Sequence, residues 1–153
     1  MKIIIITVGK KNSAELDLLI KSYQKRINYF SEISWMLVKP SSLPKNLAKE
    51  VESKEIKKII PGKCLVWLLD ERGSQLNNDQ LLNKVNTEMQ QKDNTLVLII
   101  GGPYGVNDTI RQRADFIWSI SKLVFPHQLV RLFLIEQLYR TSEISKNSGY
   151  HHS

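Results

Sequence analysis

Blocks of apolar and polar residues follow one another along this chain in a way that predicts strands and helices in alternation. Five short runs are apolar and rich in β-branched or aromatic residues, as strands are. The first, third and fourth runs are continuously apolar, which is typical of strands buried on both faces of a sheet. The five predicted strands cover residues 3–8, 33–38, 65–69, 96–100 and 116–120.

Between these runs, apolar residues recur at the three- and four-residue spacing of helices. We predict that the first helix begins near Asn12, because Asn12 and Glu15 have the spacing of a capping box. The second helix is strongly basic and ends before Pro61, and three more helices are predicted over 78–91, 108–113 and 126–145. The periodic positions of the second helix are Leu47, Val51, Glu55, Ile56 and Ile59.

The alternation of strands and helices predicts the fold class. We expect an α/β fold with a mostly parallel sheet and helices on both of its faces. No internal repeat, low-complexity tract or linker divides residues 1–153, and this length suits a single domain.

The last predicted helix is apolar in nearly every direction, whereas a helix packed on one sheet needs a single apolar stripe. We therefore expect it to be buried on two sides, against the sheet and against a second copy of the chain in a symmetric homodimer. Its apolar residues are Leu129, Val130, Leu132, Phe133, Leu134, Ile135, Leu138 and Tyr139.

The positive charge is concentrated in the first part of the chain. Residues 1–63 contain 13 Lys and Arg against 6 Asp and Glu, whereas residues 64–153 contain 9 of each, so the first part carries the whole net charge of +7. A basic surface attracts polyanions such as nucleic acids. The same excess also fits a surface that is merely well solvated.

Several classes of protein and site are excluded or disfavoured by the sequence. The opening apolar run is too short for a signal peptide, and no stretch approaches the ~20 apolar residues of a membrane span, so we expect a cytoplasmic protein with no membrane partner. Cys64 is the single cysteine and there are three histidines, so no zinc site of the usual spacing can be written and we expect no metal.

Three strand ends carry residues suited to a ligand site, because open α/β sheets bind ligands beside the carboxyl ends of their strands. These ends cover residues 68–73, 99–105 and 119–127. Gly101 and Gly102 have no Cβ, which lets a ligand approach the backbone closely. The same glycines also fit a tight turn that binds nothing.

The absence of known phosphate-binding motifs from the sequence limits the types of ligand that the site is expected to bind. No glycine-rich loop ends in Gly-Lys-Ser or Gly-Lys-Thr, and no G-x-G-x-x-G follows a strand, which excludes a P-loop and disfavours a dinucleotide site. The loops suit a ligand held by backbone groups and apolar walls, and S-adenosyl-L-methionine is such a ligand.

Four motifs follow one another in the second half of the chain. They are Gly101-Gly102-Pro103-Tyr104-Gly105, Phe125-Pro126-His127-Gln128-Leu129-Val130-Arg131, Glu136-Gln137-Leu138-Tyr139-Arg140 and Tyr150-His151-His152. These motifs resemble those of the bacterial RlmH family, which belongs to the SPOUT methyltransferases, and the opening strand with Val8-Gly9-Lys10 fits as well. The similarity therefore covers essentially the whole chain.

The resemblance implies a function, a cofactor and a topology. It implies methylation of N3 of a pseudouridine in 23S rRNA of the large ribosomal subunit, with S-adenosyl-L-methionine as the methyl donor. It also implies a deep C-terminal trefoil knot and an obligate homodimer. The cofactor contacts that it implies are Leu69, Gly101, Ile120, Ser121, Lys122, Leu123, Val124 and Phe125.

Removal of the N3 proton calls for a base that is active near neutral pH, and histidine suits that range. His151 is a candidate for this base or for positioning it, and Tyr150 is a candidate for stacking on a nucleobase. The alternative is a disordered tail, which is common at chain termini. For His127 we favour a structural or cofactor-adjacent role.

The basic side chains leave two interpretations open. Arg131 and Arg140 either grip RNA phosphate or pair with Glu136 on the same helix. Lys10 and Lys11 either contact RNA or are simply solvated.

The chain has no spare RNA-binding domain. We therefore expect the dimer to supply that surface, with an assembled large subunit or ribosome as the substrate. Two alternatives remain: a non-catalytic ribosome-binding protein of the same fold, and a methyltransferase of the same superfamily that acts on tRNA ribose.

Overall fold

Five strands form one sheet in which every neighbouring pair is parallel, in the order β2-β1-β4-β3-β5. The computed structural model describes residues 1–90 and 94–147. The strands are β1 (Lys2–Val8), β2 (Glu32–Val38), β3 (Leu65–Ser74), β4 (Thr95–Ile100) and β5 (Phe116–Trp118). The helices are α1 (Ala14–Arg26), α2 (Lys45–Ile59), α3 (Asn78–Met89), α4 (Asp108–Arg113) and α5 (His127–Asn147).

The apolar strands place two cores on opposite faces of the sheet. Odd-numbered residues of β1 such as Ile3 and Ile5 face a core that includes residues of α1, α3 and α5. Even-numbered residues such as Ile4 and Ile6 face a core that includes residues of α2 and α4. Because successive side chains of a strand point to opposite faces, a continuously apolar strand supplies both cores. The predicted α/β class and helices on both faces are confirmed.

Helix α5 is packed against β4 and against its neighbours α1 and α3. Leu134, Ile135 and Leu138 are fully buried there. Phe133 is half-buried and stacks edge-on against Phe125. Contacts with two helices and a strand therefore account for part of the broad apolar surface of this helix.

Two details of the predicted helices are wrong. Helix α1 is capped by Ser13, whose side chain accepts from the Leu16 N–H at 3.4 Å. Asn12 does not cap it, and its side-chain oxygen accepts from Arg131 Nη1 at 2.8 Å instead.

In α2 the inward face is also displaced from the predicted one. Leu47 and Val51 are 56% and 43% exposed, whereas the buried positions are Ala48, Glu52, Ser53 and Ile56. Polar contacts explain the displacement, because Ser53 Oγ accepts from the Asn107 N–H at 2.9 Å.

Strand bounds differ from the prediction in the third and fifth strands. β3 extends five residues beyond Leu69 and resumes pairing with β5 at Ser74, after an irregularity. β5 ends at Trp118, so Ile120 lies in the loop that leads to α5. No helix within residues 1–90 and 94–147 is both long and apolar enough to cross a membrane.

Arg131 joins the last helix to the first strand. Its guanidinium is buried and donates to Thr7 Oγ1 at 3.1 Å and to the Lys10 carbonyl at 2.8 Å, besides Asn12. Gly9 permits this contact, because its φ is +146° and a Cβ at that position would lie 2.5 Å from Arg131 Nη2. Both the backbone angle and the space favour glycine at this position.

We predict that Gly9→Ala lowers the free energy of unfolding by about 1–3 kcal/mol, as expected when a side chain is forced into a strained backbone region. Urea unfolding followed by circular dichroism measures the loss. Gly62→Ala is the matched control, since nothing lies within 4 Å of the added Cβ. Equal stability of the two variants would contradict this account of Gly9.

Candidate active site

A cavity of about 430 Å³ lies at the carboxyl ends of β4, β3 and β5. This volume falls within the range of small-molecule sites. Its walls are residues 68–72 in the second half of β3, residues 100–106 from the last residue of β4 onward, and several residues between Trp118 and Val130. The three strand ends singled out from the sequence line this one cavity, because their strands are neighbours in a parallel sheet.

Most of the residues expected to contact a cofactor line this cavity. They are Leu69, Gly101, Ile120, Ser121, Leu123, Val124 and Phe125. Lys122 is exposed and is not part of the wall.

The glycine-rich loop after β4 forms one wall as a tight turn. The Gly105 N–H donates to the Gly102 carbonyl at 2.9 Å, and Gly105 has a φ of +75°. A Cβ on Gly101 would lie 3.0 Å from Val106 Cγ1, so glycine keeps this turn close against the strand. Tyr104 projects from the turn and is 47% exposed.

The loop between β5 and α5 forms an apolar wall opposite. Leu123 and Val124 line the cavity although their surfaces are 70% and 82% exposed. The Ser121 hydroxyl accepts from the Leu123 N–H at 3.0 Å, and Ser119 donates to the Ser121 carbonyl at 2.9 Å. These hydrogen bonds shape a loop whose apolar side chains are open to a ligand.

Asp70 supplies a fixed negative charge where β3 reaches the cavity. Its carboxylate accepts from Arg72 Nε at 3.0 Å and from Arg111. Burial raises the pKa of Asp70, but the hydrogen bonds from Arg72 and Arg111 outweigh burial and hold the pKa well below its usual range. Asp70 is therefore ionised at neutral pH and already paired.

His127 is the first residue of α5 and also lines the cavity. Its Nδ1 is buried without a hydrogen-bond partner. Burial lowers the pKa of the imidazole, and the charge of Arg131 lowers it further, while the Glu52 carboxylate acts in the opposite direction. The ring is therefore mainly neutral at neutral pH and is able to accept a proton.

The arginines predicted for phosphate binding have other partners. Arg131 is 1% exposed and is not part of this cavity wall. Arg140 donates to Glu136 through Nε at 3.1 Å, which matches the pairing alternative for that residue. Tyr150, His151 and His152 lie outside the described residues.

Sequence reasoning missed two polar residues of this region. Lys45, at the start of α2, lines the cavity although it is distant in sequence from the three strand ends. Glu52 is 3% exposed beside Gly102, where a Cβ would lie 2.5 Å from Glu52 Oε2. No sequence motif identifies either residue, because charged residues in a basic helix are expected to be exposed to solvent. Within the described part of the chain, no cluster of His, Cys, Asp and Glu is suited to a metal.

We predict that Asp70→Asn lowers the free energy of unfolding at pH 7 by about 1.5–3 kcal/mol, the usual contribution of hydrogen bonds to a charged group. The native pKa of Asp70 is depressed, so its stabilisation is present above the ordinary Asp pKa of about 3.9 and is lost as pH falls. The difference from the wild type should shrink from about pH 5 downward.

Urea titrations at several pH values measure this difference. Glu71→Gln is the matched control, because Glu71 is exposed and its closest approach to Arg72 is 4.0 Å. A difference between wild type and Asp70→Asn that grows on acidification would refute the argument.

The chain resembles known methyltransferases over its whole length. Residues 1–151 match a family described as "Predicted SPOUT methyltransferase". A protein of Christiangramia forsetii named "Ribosomal RNA large subunit methyltransferase H" is 36% identical over 156 residues, which cover 99% of both chains. A protein of the same name from Flavobacterium psychrophilum is 38% identical over 162 residues, again covering 99% of both.

A solved structure shares the fold at much lower identity. It is described as "a probable methylase family protein from Haemophilus influenzae Rd KW20", with a TM-score of 0.59 and 9% identity. The match covers 99% of this chain and 70% of that one. Identity this low supports the fold alone.

Proposed function

This chain belongs to the ribosomal RNA large subunit methyltransferase H family of SPOUT methyltransferases, and from that premise we propose that it methylates N3 of a pseudouridine in 23S rRNA. The observation that carries the proposal is the cavity at the ends of β3, β4 and β5, whose walls include residues 101–105 and residues of 125–131, two of the motifs that resemble those of the family. Family membership also implies the C-terminal trefoil knot.

The cavity fits S-adenosyl-L-methionine, which supplies a methyl group on a sulfonium when bound. Gly101 leaves the backbone accessible, while Leu69, Leu123 and Val124 supply apolar surface. We assign Ile120, Ser121 and Phe125 to the same site and keep Lys122 at its rim, since it is exposed. Tight positioning of the two reactants is the main contribution of such a site, worth ~7–11 kcal/mol in favourable cases.

The RNA is proposed to approach across the basic part of the chain. Lys45 connects the two regions, because it lies in the basic helix α2 and also lines the cavity. Lys54, Lys57 and Lys58 continue the positive charge along the exposed side of that helix. Such lysines hold a phosphate backbone without reading its sequence.

A homodimer is part of this proposal. Leu123 and Val124 are exposed apolar residues beside the cavity, and an apolar surface of this kind suits a ligand, a partner subunit or both. We infer that a second copy contributes RNA-binding surface to each site, and that the enzyme acts in the cytoplasm on an assembled large subunit or ribosome.

The acceptor nitrogen must lose a proton before or as it is methylated. His127 lies in the cavity wall and its lowered pKa keeps the ring able to accept that proton at neutral pH. That His151 and Tyr150 of the C-terminal tail act on the bound nucleobase stays a prediction.

We predict that the purified protein, given S-adenosyl-L-methionine, adds one methyl group to a pseudouridine of 23S rRNA in ribosomes from a strain that lacks it. Mass spectrometry of nuclease fragments locates the methyl group. Assembled ribosomes should react faster than naked 23S rRNA, because the assembled particle presents contacts that a 153-residue chain does not supply by itself.

Three other outcomes of this experiment are informative. Methylation of tRNA ribose instead of rRNA would favour the other branch of the superfamily. Binding to ribosomes without any methyl transfer would favour a non-catalytic ribosome-binding protein. Equal rates on naked and assembled rRNA would contradict only the proposal that the substrate is an assembled large subunit or ribosome.

We predict that Leu123→Ala weakens binding of S-adenosyl-L-methionine about tenfold. Loss of the apolar contacts of an isobutyl group with a ligand costs about 1–2 kcal/mol at ~0.8 kcal/mol for each buried CH₂. Isothermal titration calorimetry measures the change. Leu18→Ala is the matched control, since Leu18 is 71% exposed on α1 and does not line the cavity, so its affinity should equal that of the wild type. Unchanged affinity in Leu123→Ala would remove this loop from the cofactor site.

A further inference from the structure

Two buried side-chain polar atoms in the described part of the chain have no hydrogen-bond partner, Glu52 Oε2 and His127 Nδ1. A buried polar atom left unpaired costs about 1–3 kcal/mol, so such atoms are rare in folded proteins and require an explanation. Both residues border the same stretch of the molecule, because Glu52 touches Gly102 and His127 lines the cavity of which Gly102 is a wall.

Glu52 is held rigidly on the inward face of α2. It is 3% exposed, and its Oε1 accepts from the Ser41 N–H at 2.9 Å. Its neighbour Ser53 anchors the loop after β4 through the Asn107 N–H. The carboxylate is therefore fixed by one oxygen, while Oε2 lies against the backbone of Gly102 and is left for another donor.

The charges around His127 come from several elements. Burial and the charge of Arg131 of α5 lower the pKa of the imidazole, whereas the Glu52 carboxylate of α2 raises it. Lys45 also lines the cavity, as does Asp70, but Asp70 is paired with Arg72 and Arg111. Glu52 is thus the acidic group that favours a proton on His127.

We propose that Glu52 is a positioning residue for His127: one water accepts a hydrogen bond from Nδ1–H and donates one to Glu52 Oε2, which leaves the lone pair of the imidazole on Nε2. A neutral histidine carries one N–H donor and one acceptor nitrogen, and the bond made by one nitrogen decides the state of the other. Both unpaired atoms gain a hydrogen-bond partner in this arrangement.

The chemical consequence deepens the proposed function and rests on it. The N–H bond of the acceptor nitrogen breaks and its proton bonds to His127 Nε2. The nitrogen keeps that electron pair and bonds the methyl carbon with it, while the bond from this carbon to the sulfonium sulfur of the donor would break and leave its electron pair on sulfur. The imidazolium that forms carries a proton on both nitrogens, and the Glu52 carboxylate stabilises its positive charge. The proton then leaves to solvent and restores the neutral ring.

The test uses nuclear magnetic resonance on the ligand-free protein, so it does not depend on methyl transfer. Nitrogen-15 chemical shifts of the imidazole identify the tautomer and its titration gives the pKa, with the His127 signals assigned by their loss in His127→Asn. We expect the Nδ1–H tautomer in the wild type. In Glu52→Gln we expect the pKa of His127 to fall by about one unit, because a nearby opposite charge is removed.

Glu55→Gln is the matched control, since Glu55 lies one turn along α2, is exposed and pairs with Lys58. It should leave the pKa of His127 unchanged. An Nε2–H tautomer in the wild type overturns the proposal, and so does a pKa that is the same in Glu52→Gln and Glu55→Gln. If Glu52→Gln does not fold, the wild-type tautomer alone decides, and Glu52→Asp supplies a second variant that keeps the charge.

Activity gives an independent readout. In Glu52→Gln the acid limb of the kcat profile should move to lower pH together with the pKa of His127, with little change in the affinity for S-adenosyl-L-methionine. A wild-type profile in Glu52→Gln, alongside a shifted pKa of His127, would show that Glu52 orients His127 but that His127 is not the base. Absence of any methylation by the wild type, with the expected tautomer and pKa shift, would reject the proposed function but support the positioning of His127 by Glu52.

Discussion

The buried guanidinium of Arg131 is the contact on which the arrangement of the site depends. It joins α5 to the end of β1 through Thr7, Asn12 and the Lys10 carbonyl, and it requires a glycine at position 9. These three acceptors are neutral oxygens, so the guanidinium is held by hydrogen bonds to uncharged groups. Because His127 lies one turn before Arg131 on the same helix, this contact also places the histidine and the preceding loop against the sheet.

The position of the cavity follows from the parallel sheet. Parallel strands bring their carboxyl ends to the same edge, and the order β4-β3-β5 makes the three segments that line the cavity neighbours. Each segment contributes a different property: a close backbone after β4, a paired carboxylate within β3 and an open apolar wall after β5. Helix α2 adds Lys45 at the entrance and Glu52 behind Gly102, and thereby connects the basic part of the chain to the site.

Much of the cavity wall was predictable from the sequence, because the patterns that identify its residues involve only neighbouring positions in the chain. Gly101 and Gly102 follow an apolar run, and residues 119–127 lie between the last strand and the last helix, so pattern and motif alone single them out. Lys45 and Glu52 carry no such signal. A glutamate in a lysine-rich helix is usually solvated, and only the close approach of Gly102 shows that this one is buried. The roles of Tyr150 and His151 stay predictions.

The sequence by itself determined the elements, their alternation, the α/β class and the family, because apolar periodicity and short motifs are properties of neighbouring residues. Tertiary structure alone decided the partners of polar side chains. Asn12 has the spacing of a helix cap but binds Arg131, more than a hundred positions away, and Ser13 caps the helix instead. Likewise, Val51 is exposed while Glu52 beside it is buried. Which polar side chains are buried, and which partners they bind, depends on which atoms have lost water once the sheet and helices have packed. Only the tertiary structure shows which atoms these are.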